Sequence, residues 1–426
     1  MNTRALRRTA LIAVAASTTA IMLAGCAGSG GGASSSNPNE KITLTVATFN
    51  DFGYTDALLK EYTKLHPNVT VQQTKAATSN DARANYFQKL GKKGLADVEA
   101  IEVDWLPEVM KYSDLLAPVP AADKDRWLGW KTDMATDKKG NLIGYGTDIG
   151  PEAICYRSDL FKAAGLPTDR DSVSKLLEGD WSKYFAVGDQ YVKATGKAWF
   201  DSAGGTYQGM INQVEAAYEN PKNGKITATT NPDVKAVYQQ VTAASKTQSA
   251  HLGQWSDDWM AGLSNGAFAT MLCPGWMLGV ISGNAKDVKT WDVANVFPNG
   301  GGNWGGSYLT VPANGAHVKA AQELASWLTA PAQQIKAFVN AGTFPSQTKA
   351  LQDSTLLDFK NDYFNSAPVG QIFTDRAKAV TVAPYKGQYY FQINDAMQKA
   401  LTRVEDGTQD AQASWDQWVS EVKAIK

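Results

Sequence analysis

The chain has 426 residues, with 41 Lys and Arg against 42 Asp and Glu and a formal net charge of -1. That balance supplies no field for holding nucleic acid or an anionic membrane surface, while 13 Trp and 16 Tyr make the chain rich in flat rings with one polar edge. His66, His251 and His317 lie far apart on no shared motif, so nothing in the sequence implies a metal or another cofactor.

Arg4, Arg7 and Arg8 precede an apolar stretch over residues 10–25, too short and too interrupted by Ser17, Thr18 and Thr19 for a membrane helix. It reads as a secretory leader. Leu23-Ala24-Gly25-Cys26 matches the lipobox of bacterial lipoproteins, in which small residues fit the peptidase and the Cys26 thiol carries lipid. An ordinary cleaved leader with an incidental cysteine is the alternative. Residues 1–25 are therefore expected to be a signal peptide and residues 26–40 a Gly/Ser tether that cannot bury a core. Roughly 390 residues remain, enough for two domains with full-sized cores.

The run 42–49 alternates and then turns apolar, as a core strand does, and ends at Asn50-Asp51-Phe52. Leu58, Tyr62 and Leu65 at helical spacing, a strand at 69–71, a helix over 82–90, a strand over 97–104 and a helix over 106–116 follow. Alternating units of this kind build a mostly parallel sheet with ligands bound beyond the carboxyl ends of its strands. That rule sets Asn50, Asp51, Phe52, Asp104 and Trp105 on one rim, although Asp51 and Asp104 each also precede a helix start and suit an N-cap.

The stretch 143–161, IGYGTDIGPEAICYRSDLF, reads as a hinge. Gly144, Gly146 and Gly150 permit backbone angles closed to other residues, and Pro151 forces extension before the buried strand 153–156. Asp148 and Glu152 flank the turn, either as hydrogen-bonding groups of a cleft or as solvated carboxylates. Most rings in 160–194 suit a core. Near Gly204-Gly205 either Trp199 or Tyr207 is a candidate for stacking on a ligand. A helix over 234–246 and another capped by Ser256 or Asp257 lead to 266–276, GAFATMLCPGW, where Pro274 and Gly275 break a strand and turn Trp276 toward the cleft or under the next helix. The run 291–298 reads as a second crossover, NGGGNWGG presents Trp304 on an open loop, and a third crossover falls near 342–345. Tyr385, Tyr389 and Tyr390 follow Pro384 on a loop, with Tyr385 and Tyr389 as candidates to reach the cleft, while Trp415 and Trp418 sit at core spacing. Cys155 and Cys273, on strands of the same lobe, either bridge or remain buried thiols.

Taken together, the lipobox, the strand ends at Asn50 to Phe52 and at Asp104, the 143–161 crossover and GAFATMLCPGW resemble the extracellular solute-binding proteins of bacterial ABC sugar importers. The resemblance implies an α/β, two-lobed periplasmic-binding-protein-like fold of type II, with lobe 1 from 41–148 plus 297–345 and lobe 2 from 149–296 plus 346–426. It implies a monomer, lipid-anchored on the outer face of the cell membrane, that closes on an oligosaccharide without chemistry and delivers it to permease subunits. The pattern is similar to binders of β-linked plant oligosaccharides such as cellobiose. Sugar-binding members place acidic residues where Asp51 and Asp104 stand and often a stacking aromatic near Trp199 and Tyr207. A secreted glycoside hydrolase using paired carboxylates, or a receptor for peptides or polyamines, are the competing readings.

Overall fold

Alternation along Ile42–Phe49 buries Leu44 and Val46 on one face and makes the first strand, β1, of the computed structural model, which describes residues 40–425. Ten more strands follow among the described residues: β2 (Val69–Ala76), β3 (Val98–Glu102), β4 (Tyr145–Gly146), β5 (Asp148–Ile149), β6 (Glu152–Arg157), β7 (Ala198–Phe200), β8 (Phe268–Pro274), β9 (Trp291–Ala294), β10 (Ser307–Thr310) and β11 (Phe344–Pro345). They assemble into two separate sheets and a two-stranded ribbon, flanked by helices. From Lys41 onward they belong to one compact unit.

The first sheet runs β2-β1-β3-β10-β4. β1 is parallel to β2 and β3, as helix crossovers require, but β10 is antiparallel to both β3 and β4, so the sheet is mixed. Its core takes Leu44, Val46, Ile101 and Leu309 from the strands and Leu324 and Leu328 from the helix Val318–Leu328. The second sheet runs β7-β8-β6-β9, with β6 antiparallel to both neighbours. β6 is buried on both faces, sending Ile154 and Tyr156 into one apolar cluster and Ala153 and Cys155 into another. That explains its unbroken apolar run.

Three segments cross between the sheets. β5 pairs with β11, Ile149 opposite Phe344 and Asp148 opposite Pro345, and Pro151 forms a bridge with Asn303. The second crossing is therefore at Asn303, not at 291–298. Trp291–Ala294 is satisfied as an edge strand on β6, and Phe297 stays in the second core, so the glycine loop after it carries the chain across. Gly144, Gly146 and Gly150 do not take positive φ. Their reason is proximity: a Cβ on Gly150 would lie 1.7 Å from the Trp304 carbonyl oxygen.

Cys155 and Cys273 are bridged, with Cα atoms 5.4 Å apart and a sequence separation of 118. Ala153 is the register partner of Cys273, so the bridge runs diagonally across β6 and β8 on one face. Closing so long a loop restricts the unfolded chain. The double substitution Cys155→Ala/Cys273→Ala is expected to cost about 2–4 kcal/mol, read as a lower midpoint in denaturant with secondary structure retained. Wild-type protein in strong reductant should follow the double variant.

Candidate functional site

The carboxyl ends of strands from both sheets open onto one cleft of about 490 Å³. β1 supplies Asn50, Asp51 and Phe52; β3 supplies Glu102 and Asp104; β7 leads to Ser202; β8 leads to Trp276. This is where an open α/β sheet binds ligands, because neighbouring loops diverge beyond the strand ends.

One wall is aromatic. The rings of Trp255 and Trp276 lie 6.0 Å apart and 22° from parallel, and Trp304 meets Trp276 edge-on at 5.7 Å. The Trp276 indole N–H donates to the Trp304 carbonyl at 3.1 Å, which fixes its ring plane. Trp255 holds a φ of +73°, rare for a bulky residue, and Gln254 beside it donates to the buried Asp201 at 2.8 Å. Further along the wall, Tyr207, Tyr218, Asn394 and Gln208 form a hydrogen-bonded chain, and Gln208 and Asn394 face the cleft.

The floor is charged. Asp148 accepts from the Thr147 hydroxyl at 2.7 Å and the Ser307 amide at 3.0 Å. Burial raises its pKa, opposed by Lys131. The Glu102 carboxylate accepts from the Asp104 amide at 2.9 Å; burial pushes Glu102 up to about 8, with Asp104 adding to the rise and Lys386 opposing it. Lys131 falls to about 8, burial being the main cause and Asp148 and Glu102 resisting, while its ammonium sits 3.9 Å over the Tyr308 ring. Lys386 forms an ion pair with Asp104. Burial works hardest against the Lys386 charge, yet Asp104, Tyr390 and Glu102 together hold its pKa above the ordinary lysine value.

The lining thus holds carboxylates and rings, and among the described residues no Lys or Arg lines it; Lys131 and Lys386 stand behind. Nothing among the described residues groups three His, Cys, Asp or Glu as metal ligands.

The model of the bacterial extracellular solute-binding proteins matches residues 57–363. The chain belongs to that family. A solved extracellular solute-binding protein of family 1 is 45% identical and superposes with a TM-score of 0.79, covering 90% of this chain and 99% of its own. An ABC transporter associated binding protein from B. animalis subsp. lactis, solved with β-1,6-galactobiose, has 19% identity and a TM-score of 0.76, covering 90% of this chain and 96% of its own. The two-lobed periplasmic-binding-protein-like fold expected from the sequence is the fold of these neighbours. A lactose-binding protein of Rhizobium radiobacter is 25% identical over 262 residues, which are 57% of this chain and 58% of that relative.

Of the expected site residues, this solute-binding protein brings Asn50, Asp51, Phe52, Asp104, Asp148, Trp276 and Trp304 to the cleft. Neither aspartate is a helix cap: Thr55 caps the first helix, Asp51 closes a turn on the Gly53 amide at 2.9 Å, and Asp104 is engaged by Lys386. Trp105 is a correction: it is buried against Tyr86 and Phe87, and its indole N–H donates to Ser79, which does face the cleft. Trp199 packs among Phe161, Tyr184 and Tyr191. Tyr207 is likewise buried, its hydroxyl engaged by Tyr218 at 3.0 Å. Both rings serve the core and neither stacks in the cleft. Glu152 lies buried beneath the cleft, outside its lining. Tyr385 and Tyr389 also lie outside it, their backbone amides tied to Glu215 and Glu219. Cys26 lies outside the described residues.

Sequence reasoning misses Trp255, Glu102, Lys131 and Lys386. A ring directly before a serine cap is a usable signal for Trp255; a lysine between Tyr385 and Gly387 carries none. Glu102 makes a pH prediction. Its folded-state pKa of about 8 lies above the reference of 4.5, so its contribution is full below about pH 4.5 and is lost as pH rises toward 8. In thermal unfolding, Glu102→Gln should lose less Tm than wild type on going from pH 5 to pH 8.

Proposed function

We propose that this solute-binding protein is the lipid-anchored receptor of an ABC importer, which captures an uncharged β-linked oligosaccharide by closing two lobes and passes it unchanged to permease subunits. The observation that carries this is the lining of the cleft: three tryptophan rings, six acidic side chains (Asp51, Glu102, Asp104, Asp148, Asp395 and Glu405) and, among the described residues, no cation. Carboxylates accept from sugar hydroxyls, and indole faces pack against the C–H faces of a pyranose. An anionic ligand would enter against those carboxylates with no counter-charge on the lining. A volume of about 490 Å³ suits a ligand of a few rings at most.

The relatives' ligands support a neutral saccharide: lactose for the R. radiobacter protein and β-1,6-galactobiose for the B. animalis subsp. lactis protein are β-linked disaccharides, while another solved neighbour, from T. maritima, holds maltose. Cellobiose belongs to that chemical class. The anchor would be the Cys26 lipid, with 26–40 as tether, 41–148 plus about 303–345 as the first lobe and 149–302 plus 346–426 as the second, the boundary expected at 297 moving to the crossing at Asn303, and the protein would act as a monomer at the outer face of the membrane. Ligand contacts from both lobes favour the closed state in proportion to the differential affinity they add.

Titration calorimetry with cellobiose, lactose, β-galactobiose and a uronate disaccharide tests this reading. Binding of a neutral β-linked sugar, no binding of the uronate and no new reducing ends after hours are expected. Product formation would make the protein a hydrolase, and binding of peptides or polyamines in place of sugars would replace the ligand class. Trp276→Ala should weaken the bound sugar at least about tenfold with the fold intact. Trp199→Ala should instead lower stability by about 3–5 kcal/mol, seen in denaturant melts.

A further inference from the structure

We propose that Lys386 is the positioning residue of ligand capture: from behind the cleft, across the junction of the two lobes, it holds Asp104 for the ligand, and when the lobes part its ammonium turns to Glu152. This rests on the receptor reading above.

The two partners of the ion pair come from different lobes. Asp104 follows β3 of the first sheet, with its backbone amide fixed by Glu102. Lys386 belongs to a segment tied to the second lobe on both sides, by the Tyr385 amide on the Glu215 carbonyl at 2.7 Å and the Tyr389 amide on the Glu219 carboxylate at 3.1 Å. Their side chains are only 3% exposed for Lys386 and 15% for Asp104. Removing one member of such a buried pair leaves the other charge uncompensated. Opening the cleft has the same effect on Lys386 unless a second carboxylate takes over.

Glu152 is that carboxylate. It lies at the start of β6 in the second lobe, is fully buried, and neither of its oxygens has a hydrogen-bond partner among the described residues. Two glycines leave room for it: a Cβ on Gly302 would sit 2.6 Å from one oxygen and a Cβ on Gly209 3.1 Å from the other. A buried carboxyl with both oxygens idle is costly and calls for a state in which they are used. Burial raises its pKa well above the usual range, and Lys386 is the charge that opposes this rise. The long lysine stem allows its ammonium to exchange partners without backbone change. The other groups facing Lys386 are Glu102, Lys131 and Tyr390, whose ring lies 4.7 Å from the ammonium; Glu219 is occupied by the Tyr389 amide.

The exchange couples closure to a proton. In the closed form Glu152 is neutral; in the open form, beside Lys386, it is ionised. Closing takes one proton from solvent onto Glu152, so capture weakens as pH rises above the ordinary carboxylate range toward the raised pKa of buried Glu152.

The full chain is tested as wild type, Lys386→Met, Lys386→Arg and Glu152→Gln, by small-angle scattering without ligand and by stopped-flow binding of the neutral disaccharide that binds wild type. Lys386→Met removes the partner of Asp104 in the closed form and of Glu152 in the open one, so it is expected to weaken binding at least about tenfold, mainly through faster dissociation, and to shift the ligand-free radius of gyration less than Glu152→Gln does. Lys386→Arg should restore much of the affinity. Glu152→Gln deprives the open form of its charge partner, so it should shrink the ligand-free radius, tighten binding and flatten the pH dependence. Unchanged affinity in Lys386→Met, or a wild-type radius and pH slope in Glu152→Gln, overturns the proposal. If wild type binds no saccharide, the receptor reading fails and the scattering arm alone decides on Lys386.

Discussion

Everything in the cleft depends on how closely three chain segments pass at the hinge. β5 runs against β11, and Gly150 lies so near the Trp304 carbonyl that a methyl group there would overlap it. The Gly150 amide donates to the Asn303 side chain at 2.9 Å, and its carbonyl accepts from the Trp304 amide at 2.7 Å. A bundle of crossings held this tightly has little freedom to shear, which leaves bending as its soft motion. It also explains why the glycine loop after Phe297 carries the second crossing. An apolar strand such as Trp291–Ala294 gains more by pairing with β6 than by spanning a gap, whereas bare backbone fits where side chains cannot.

The same junction gathers charges that would be costly anywhere else. Glu102, Asp104 and Asp148 stand with Lys131 and Lys386 in a small volume that water barely reaches. Buried ions of this kind rarely add stability over an apolar core, because desolvation offsets most of their attraction. Their value lies in position. A carboxylate already stripped of water and aimed by a partner meets a ligand hydroxyl with little reorganisation, and one that is exposed to solvent, as Asp51 largely is, does not.

How much of this is legible in the sequence follows from what each signal measures. Strand ends are readable because alternation and a Pro-Gly break are local: Asn50, Asp104 and Trp276 follow directly from them. The faces of buried aromatics are not. Trp105, Trp199 and Tyr207 sit beside the right strands and helices, but which side of an element meets the core depends on neighbours far along the chain. Lys386 is illegible for the same reason in stronger form, since its partner Asp104 is 282 residues away. The hinge glycines are special, as their clustering implies, but the cause differs, because close approach leaves no trace in sequence that positive φ would not also leave.

Trp255 shows what kind of recognition the two walls divide between them. A tryptophan in the left-handed region costs about 1–3 kcal/mol, and the surroundings must over-determine it. Here they do: the next residue caps a helix, the preceding Gln254 is fixed on Asp201, and the ring lies nearly parallel to Trp276. That wall is rigid, and its rings cannot follow a ligand that does not fit. The opposite side is set differently: the Asp104 amide is fixed by Glu102, its carboxylate by Lys386, and the segment carrying Lys386 by the Tyr385 and Tyr389 amides. One wall is thus shaped by ring packing and the other by a buried charge pair, so the first discriminates by fit and the second by hydrogen-bonding partners.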